Sequence, residues 1–192
     1  ILLDSANGDK LWITAVEKEL KQINDYETFQ VLEKGDIMPE GYQLIPYHIV
    51  FDCKLDFRRK ARLVAGGNFT EAPPPEDIYS GVVGMETIRY CMQVAAMNNL
   101  QVCAADVGNA FLYGKTREKV YVIAGPEFGD DAGKRMIIDK GLYGLRTSGA
   151  RFHEHLSAKL RTLGFVPSKA DDDLWIRAQA DHYEFIATYV DD

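Results

Sequence analysis

The sequence of 192 residues lacks any run of eighteen apolar residues, so no segment is predicted to cross a membrane and no membrane partner is expected. Cysteine is scarce as well: Cys53, Cys91 and Cys103 are odd in number and have no C-x-x-C spacing. This usage argues against a disulfide framework and against a zinc site, and it is typical of a reducing intracellular setting. The sequence also contains no internal repeat, no low-complexity segment and no recognisable signal peptide.

Positive charge is in deficit, because 22 Lys and Arg residues face 29 Asp and Glu residues for a net charge of −7. Proteins that bind nucleic acid usually present a basic face, so the total alone would favour a generic acidic enzyme. The charges are unevenly distributed, however. Basic residues crowd one short stretch, namely Lys54, Arg58, Arg59, Lys60 and Arg62, while acids collect at residues 130–131 and 171–173. The clustering keeps a polyanionic partner open.

Apolar periodicity predicts both helices and strands. The composition, 46% hydrophobic and 27% charged, suits one globular domain or two small ones. We predict helices over residues 12–23, 85–97 and 148–163, the last with Ser148 as N-cap and Gly164 as stop. We predict a hairpin of two strands, 45–57 and 61–65, with a positively charged tip, short strands at 119–123 and 135–138, and a second hairpin from 174–177 and 184–190. The mixture has no strict βαβα rhythm, so the predicted class is α+β.

Two predicted strands end in carboxylates. Residues 100–105 alternate as a strand that runs into Asp106, and residues 186–190 form an apolar strand that runs into Asp191 and Asp192. If the two strands are neighbours in one sheet, hard oxygen ligands suitable for Mg²⁺ lie close together. Two such ions can clamp an in-line phosphoryl displacement. The alternative is that these are solvated turn acids, and spacing alone does not decide between the two.

Several short words occur in an order that resembles the reverse transcriptases of copia-type retrotransposons. Tyr189–Asp192 reads Y-x-D-D, and Asp106–Phe111 resembles the first catalytic segment of that family. Lys60–Ala65 reads K-A-R-L-V-A, and Leu142–Arg146 resembles L-Y-G-L-K. Gly164-Phe165 and Asp173 also fall where the family has a G-F pair and a later aspartate. The resemblance runs from about Trp12 to the last residue.

The resemblance implies an RNA-directed DNA polymerase with a right-hand fold, consisting of fingers and a palm whose antiparallel sheet is backed by helices. The implied division is fingers at 1–81, palm at 82–113, fingers again at 114–147 and palm again at 148–192. Both ends of the sequence are interpreted as cuts through a longer Pol polyprotein, before its thumb, ribonuclease H and integrase. We therefore expect the fragment alone to be inactive. The implied partners are an RNA or DNA template with its primer and deoxynucleoside triphosphates, in cytoplasmic virus-like particles or in the nucleus.

The same resemblance assigns the metal-binding residues. Asp106 and Asp191 are the implied principal ligands of two Mg²⁺ ions, for which Mn²⁺ can substitute, and the backbone carbonyl of Val107 assists. Asp192 is expected near the primer end, on the other side of the strand from Asp191.

Other residues are assigned to the nucleotide. Phe111 matches the position that floors the sugar pocket, where a ring would clash with a 2′-hydroxyl. The backbone amides of Asn109 and Ala110 could hold triphosphate oxygens. Arg62, with Lys60 and Lys54, is the expected triphosphate clamp, the alternative being a solvated hairpin face. Tyr143 and Gly144 are expected to border the templating base, with aromatic core packing as the alternative for Tyr143.

The sequence departs from the family pattern at three places. Thr147–Phe152 replaces Q-S-P-R-x-W, Ser80–Val82 replaces S-P-V, and the hairpin at 56–59 is shorter than usual. None of these changes removes an expected metal ligand. The H-x-H pair of His153 and His155 is interpreted as two surface or rim histidines, since residues two apart on a helix point about 200° apart and cannot share a metal.

Two other functions are weighed against the polymerase. One is an inactive, nucleic-acid-binding remnant of such an element. The other is an unrelated magnesium-dependent phosphohydrolase that uses the same acids. The phosphohydrolase would need neither Phe111 nor the basic hairpin, so the co-occurrence of both with Y-x-D-D disfavours it.

Overall fold

The computed structural model describes residues 2–190, and for residues 2 and 3 the backbone only. Five α-helices lie in this range: α1 (Leu2–Asn7), α2 (Leu11–Asp25), α3 (Pro75–Ile78), α4 (Met85–Met97) and α5 (Ser148–Thr162). Nine strands are β1 (Phe29–Leu32), β2 (Gln43–Leu44), β3 (Tyr47–Cys53), β4 (Arg59–Ala65), β5 (Val120–Ile123), β6 (Arg135–Ile138), β7 (Val166–Pro167), β8 (Leu174–Ala178) and β9 (Tyr183–Ala187). Short 3₁₀ turns occupy Gly67–Phe69, Ala110–Tyr113 and Pro126–Asp131. The predicted α+β class is confirmed, and no helix of the described range is long and apolar enough to cross a bilayer.

The first sheet joins two distant parts of the chain. Its strand order is β1-β6-β5-β2, with β1, β6 and β5 antiparallel and β2 parallel to β5. Val120, Val122, Met136 and Ile138 are almost fully buried in its core. The same core contains Leu112, Leu142 and Leu145, so the segments that flank the sheet are anchored by burial of apolar side chains.

Helix α2 covers the hairpin through its predicted apolar face. Val16, Leu20 and Ile23 are buried, and they share a core with Ala61 and Leu63 of β4. The helix begins without a side-chain cap from its own N-cap residue. Instead, the buried carboxylate of Asp4 accepts the amides of Trp12 (3.0 Å) and Ile13 (2.9 Å), which satisfies two of the free donors at this end.

The basic hairpin is confirmed with a shorter first strand than predicted. β3 and β4 pair antiparallel from Tyr47↔Ala65 to Cys53↔Arg59, and the loop closes with the amide of Lys54 donating to Arg58 at 3.0 Å. Phe57 adopts a positive φ of 63° in this loop. The predicted strand therefore ends at Cys53, because Leu55 and Phe57 belong to the turn and are fully or largely exposed.

Helix α5 and the sheet β7-β8-β9 form a second core from Leu160, Phe165 and Trp175. The helix ends as predicted at Gly164, which has a φ of 87°. Its amide donates to Arg161 and that of Phe165 donates to Leu160, both at 3.0 Å, which is the Schellman pattern. The predicted start is wrong by one residue: Thr147 is the N-cap, and the buried hydroxyl of Ser148 bonds the carbonyl (2.7 Å) and amide (2.9 Å) of Leu142 instead.

Two other predictions need correction. Residues 100–106 form no strand: they are exposed beyond Leu100, and no described strand offers them a partner. A strand needs such a partner because its backbone N–H and C=O groups bond only between strands. β9 ends at Ala187 rather than 190, since Tyr189 leaves to bridge Val82. Helix α4 spans the predicted residues; Ala95 is its buried residue, whereas Met92 is half exposed.

Candidate functional site

The hairpin presents its predicted phosphate-binding side chains on one face. In the β3–β4 register Lys60 lies opposite Asp52 and Arg62 lies opposite Val50, so both basic side chains point to the same side of the ribbon. The other side carries Ala61 and Leu63, which are buried in the core. The alternation of β4 therefore directs Lys60 and Arg62 away from the core. Lys54 lies at the exposed tip.

A row of three side chains joins the hairpin to the 3₁₀ turn Ala110–Tyr113. The guanidinium of Arg62 lies 5.7 Å from the ring centroid of Tyr143, and Tyr143 meets Phe111 edge to face at 5.1 Å. The Nε atom of Arg62 is buried and has no hydrogen-bond partner in the described range. The structure thus brings together the residues predicted for the triphosphate, the templating base and the sugar. We name Arg62, Tyr143 and Phe111 the pocket row.

Glycine at position 144 makes this row possible. Gly144 has a φ of 90°, and a Cβ built on it would lie 2.0 Å from the carbonyl oxygen of Ala65. The adjacent Tyr143 carbonyl accepts the amide of Ala65 at 2.7 Å. Only glycine permits both the conformation and the close approach. The L-Y-G segment is therefore pressed directly onto the end of β4.

The pKa of Lys60 on the hairpin responds to charges of both signs. Burial lowers the pKa of Lys60 below its usual value, the positive charges of Arg62 and Lys54 lower it further, and the negative charges of Glu19 and Asp106 oppose the change. The carboxylate of Asp106 itself is exposed, and it makes no hydrogen bond or ion pair with any residue between 2 and 190. Its oxygens are free to bind a partner of opposite charge.

The turn after Asp106 offers free backbone donors. Asn109 adopts a left-handed conformation with φ 57° and precedes the 3₁₀ turn, whose first residue is Ala110. Neither amide donates a hydrogen bond to a described residue. Successive unbonded amides at such a turn are suited to anions. Val107 lies between Asp106 and this turn and is half-buried.

The end of the Y-x-D-D segment lies only partly within the described residues. Tyr189 pairs with Val82, the amide of Val83 donates to Thr188 at 2.9 Å, and Val190 has a φ of 56°. Asp191 and Asp192, the other two predicted metal ligands, lie outside the described residues. In the range 2–190 no group of three His, Cys, Asp or Glu side chains is arranged to hold a metal ion.

A buried carboxylate supports this segment, and the sequence alone did not indicate its contacts. Asp173 is only 6% exposed, its oxygen lies 2.6 Å from Nε2 of His153, and it accepts the hydroxyl of Thr188 at 3.3 Å. The Thr188 amide donates to the Asp173 carbonyl at 2.9 Å. Gly81 packs on the same carboxylate, where a Cβ would lie 2.2 Å from Oδ2. Glycine in place of the family's proline in S-P-V leaves room for this contact.

The neighbouring Asp171 fixes helix α4. Its carboxylate accepts the hydroxyl of Thr87 (2.6 Å) and the amide of Gly84 (2.9 Å) at the first turn of the helix. These two bonds hold the pKa of Asp171 below its usual value. Of the run Asp171–Asp173, two acids thus have structural partners and Asp172 is exposed. The family resemblance singled out Asp173, but three successive aspartates carry no local signal for the partners that each one has.

The two histidines of α5 have separate surroundings, as predicted. His153 contacts Asp173, whereas the ring of His155 lies 5.7 Å from that of Tyr113. Both are half-buried rather than fully at the surface.

A family model and two known proteins that match this chain all point to the same family. The model of the family "Reverse transcriptase (RNA-dependent DNA polymerase)" matches residues 26–192. The retrovirus-related Pol polyprotein from transposon TNT 1-94 of Nicotiana tabacum is 29% identical over 189 residues, covering 93% of this chain and 14% of that protein. The truncated transposon Ty1-A Gag-Pol polyprotein of Saccharomyces cerevisiae is 29% identical over 154 residues, covering 78% and 12%. The chain thus spans about one seventh or less of these relatives, and no solved structure matches it.

Proposed function

Since the chain belongs to the reverse transcriptase (RNA-dependent DNA polymerase) family and is of the copia type, we propose that it forms the fingers and palm of a polymerase that copies an RNA or DNA template. The reaction joins the 3′-oxygen of a primer to the α-phosphorus of a deoxynucleoside triphosphate and releases pyrophosphate. The thumb, ribonuclease H and integrase are proposed to come from other parts of a Pol polyprotein.

The observation that carries this proposal is the pocket row. The row consists of one guanidinium and two aromatic rings. The guanidinium of Arg62 lies 5.7 Å from the ring centroid of Tyr143, which lies 5.1 Å from that of Phe111. The negative charge of Asp106 opposes the lowering of the pKa of Lys60 on the same hairpin as Arg62. A nucleoside triphosphate needs this combination, since its phosphates bind cations and its base and sugar pack on rings. A phosphohydrolase whose substrate carries no nucleoside would have no use for the rings.

The topology of the first sheet and the composition of the second core support the proposed division into fingers and palm. The first sheet is made only from strands of residues 1–81 and 114–147, the proposed fingers. The second core uses only residues of 148–192. It is joined to the segment 82–113 through the Val82–Tyr189 bridge and through the bonds from Asp171 to Gly84 and Thr87.

The donor chemistry at Asp106 fits a magnesium ion. A carboxylate that is exposed and unbonded within residues 2–190 is a hard oxygen ligand, and Mg²⁺ is typically held by one or two such groups together with substrate phosphates. We propose Asp106, the Val107 carbonyl, Asp191 and Asp192 as the ligands of two Mg²⁺ ions, with Mn²⁺ as a substitute. Bound there, the ions would supply charge neutralisation for the attacking oxygen and the leaving pyrophosphate.

The remaining residues are proposed to position the nucleotide. Arg62 and Lys60, with Lys54 nearer the tip, bind the triphosphate, and the amides of Asn109 and Ala110 donate to its oxygens. Phe111 limits the sugar to the deoxy form, and Tyr143 borders the templating base. Positioning and electrostatics supply the catalysis, so no protein nucleophile is required.

Primer extension on an RNA template, by a polymerase that contains this chain, tests the proposal. We expect Asp106→Asn to abolish Mg²⁺-dependent extension while the affinity for template–primer changes less than about twofold, because the substitution removes a metal ligand and no strand contact. Asp172→Asn is the matched control, since its carboxylate is exposed and has no role in the proposal.

The outcomes separate the alternatives. Normal extension by the Asp106→Asn variant would overturn the metal assignment. A wild-type polymerase that binds template–primer but never extends it, with either Mg²⁺ or Mn²⁺, would favour the binding-only remnant. The irregular, exposed backbone around Asp106 is the observation that keeps this second function open.

A further inference from the structure

A basic pocket lies beside the pocket row and has no part in the function proposed so far. It has a volume of about 540 Å³. It is lined by residues 113–117, by Lys140 and by three residues of helix α5. Four of its side chains are cationic, Lys115, Arg117, Lys140 and Arg151, and one is a carboxylate, Glu154. This pocket therefore has an excess of positive charge, although the whole chain has a net charge of −7. We name this cavity the lysine pocket.

Two of its lysines are forced together by backbone pairing. Lys115 and Lys140 form an antiparallel bridge, flanked by bonds from Gly141 to Gly114 (2.7 Å) and from Thr116 to Asp139 (3.0 Å). This is the non-hydrogen-bonded type of pair, in which opposite Cα atoms lie only about 4.5 Å apart and the side chains share one face. Like charges at such positions destabilise a sheet. The pair therefore favours an anion between or above the two ammonium groups.

The carboxylates nearby do not neutralise these lysines. The guanidinium of Arg151 is buried and pairs with Asp77 and Glu154, and Arg117 pairs with the same two acids at 3.5 and 3.3 Å. The two arginines and two acids balance each other in charge. Within residues 2–190, neither Lys115 nor Lys140 has an ion pair. Lys159 adds to the field, since both it and Lys140 act on the ring of His155.

The pocket is linked to the residues proposed to bind the nucleotide through one short turn of the chain. Phe111 and Tyr113 belong to one 3₁₀ turn, so a molecule on the pocket row is within reach of the lysine pocket. Tyr113 is 39% exposed, and its ring lies tilted at 5.7 Å from that of His155 and edge to face with that of Tyr26 at 5.1 Å. Cations along a groove with an exposed aromatic ring are the usual means of holding a single nucleic-acid strand, through its phosphates and one base.

We propose that the lysine pocket binds the phosphodiester backbone of a nucleic-acid strand, with Lys115 and Lys140 on its phosphates and Tyr113 against a base. The inference rests on the proposed polymerase function, and it extends the strand's path from the pocket row to helix α5. Lysines suit this role because they act as point charges on a backbone whose sequence is not read.

The test compares three double variants of the full 192-residue chain by fluorescence anisotropy with a short labelled single-stranded RNA. Lys115→Gln/Lys140→Gln is expected to weaken binding about tenfold at low salt. It should also reduce the slope of log K against log salt by about 1.4, from two contacts at about 0.7 each. The charge-matched control, Lys34→Gln/Lys169→Gln, removes two exposed lysines outside the pocket and is expected to change affinity less than twofold. Lys60→Gln/Arg62→Gln reports on the hairpin in the same assay.

Thermal unfolding separates a binding role from damage to the fold. Because the substitution removes like-charge repulsion, the melting temperature of Lys115→Gln/Lys140→Gln should be unchanged or higher while binding falls. A lower melting temperature together with weaker binding would overturn the proposal in favour of a structural role.

Each other outcome has a definite meaning. If the hairpin variant is weakened but the pocket variant equals its control, the lysine pocket is refuted and the proposed function stands. If neither the wild-type chain nor a polymerase that contains it binds the RNA, both fail; if only the polymerase binds, the same three variants are compared in it. A parallel titration with deoxynucleoside triphosphate alone distinguishes the source of the phosphate. If Lys115→Gln/Lys140→Gln loses affinity for the nucleotide but binds RNA normally, the proposal that the lysine pocket binds a nucleic-acid strand is refuted.

Discussion

Substitution of Gly144 by alanine should separate the hairpin from the L-Y-G segment. The substitution meets two penalties: a left-handed backbone at φ 90° and a Cβ that would lie 2.0 Å from the Ala65 carbonyl and 2.8 Å from Val64. The conformational penalty is about 1–2 kcal/mol. Relief of the overlap needs a shift of backbone, which costs about 1–3 kcal/mol more. The expected total loss of unfolding free energy is therefore about 2–5 kcal/mol.

Gly133→Ala is the matched control for this prediction. Gly133 has a similar φ of 83°, but nothing lies within 4 Å of its added Cβ, so only the conformational penalty applies. The difference between the two variants should be about 1–3 kcal/mol by urea denaturation, or about 2–12 °C in melting temperature for a chain of this size. Nucleotide affinity should fall in Gly144→Ala alone, because Tyr143 moves away from Arg62. Equal stability of the two variants would refute the close approach of Gly144 to β4.

Three further predictions concern the sugar pocket, a helix cap and an ion pair. In a polymerase that contains this chain, Phe111→Ala should raise ribonucleotide incorporation, and unchanged sugar selectivity would remove Phe111 from the site. Asp171→Ala should lower the unfolding free energy by about 1–2 kcal/mol, because the first turn of α4 loses its cap. The control Asp172→Ala should change it by less than about 0.5 kcal/mol. Equal effects of the two substitutions would contradict the capping role. Hydrogen bonds from Arg177, and then Gln179, hold the pKa of Glu184 at about 2, below its usual 4.5. The stability from this pair should therefore be present above pH 4.5 and lost as the pH falls through about 2, and Arg177→Gln should return the pKa, followed by NMR titration, towards 4.5.

Local pattern was sufficient to predict those elements whose burial repeats with the period of the sequence. Helix α2 was predicted because Val16, Leu20 and Ile23 recur at helical spacing, and all three are buried. β4 was predicted as the strand that follows the basic turn, and its alternate residues Ala61, Leu63 and Ala65 are almost fully buried. In each element a single face meets the core, so the sequence alone contains the information.

Long-range contacts were not predictable in the same way. The bond of Ser148 to Leu142, and the burial of Asp173 against His153, depend on segments that meet only in the folded chain. Serine is a favoured residue type at an N-cap, yet the hydroxyl of Ser148 satisfies two buried backbone groups of another segment. Satisfaction of buried polar groups outweighed the local preference. The strand predicted for 100–106 failed for the related reason that its alternation specifies a face but not a partner.

The two ends of the proposed site differ in how firmly the fold holds them. The triphosphate end is built on buried structure: β4, Leu142 and Leu145 belong to the first core, and Gly144 is pressed onto Ala65. The metal end is not, because residues 101–106 are exposed and, after the bond from the Leu100 amide to Ala95, no backbone amide of this segment bonds to a described residue. Segments with few buried contacts and solvent-facing backbone groups have low local stability. The hairpin and pocket row thus provide a preformed surface for phosphates and rings, whereas Asp106 needs further contacts, from bound substrate among others, to take a fixed position. Substitutions in the row should accordingly disturb both stability and binding, and substitutions at Asp106 should disturb the reaction with little effect on the fold.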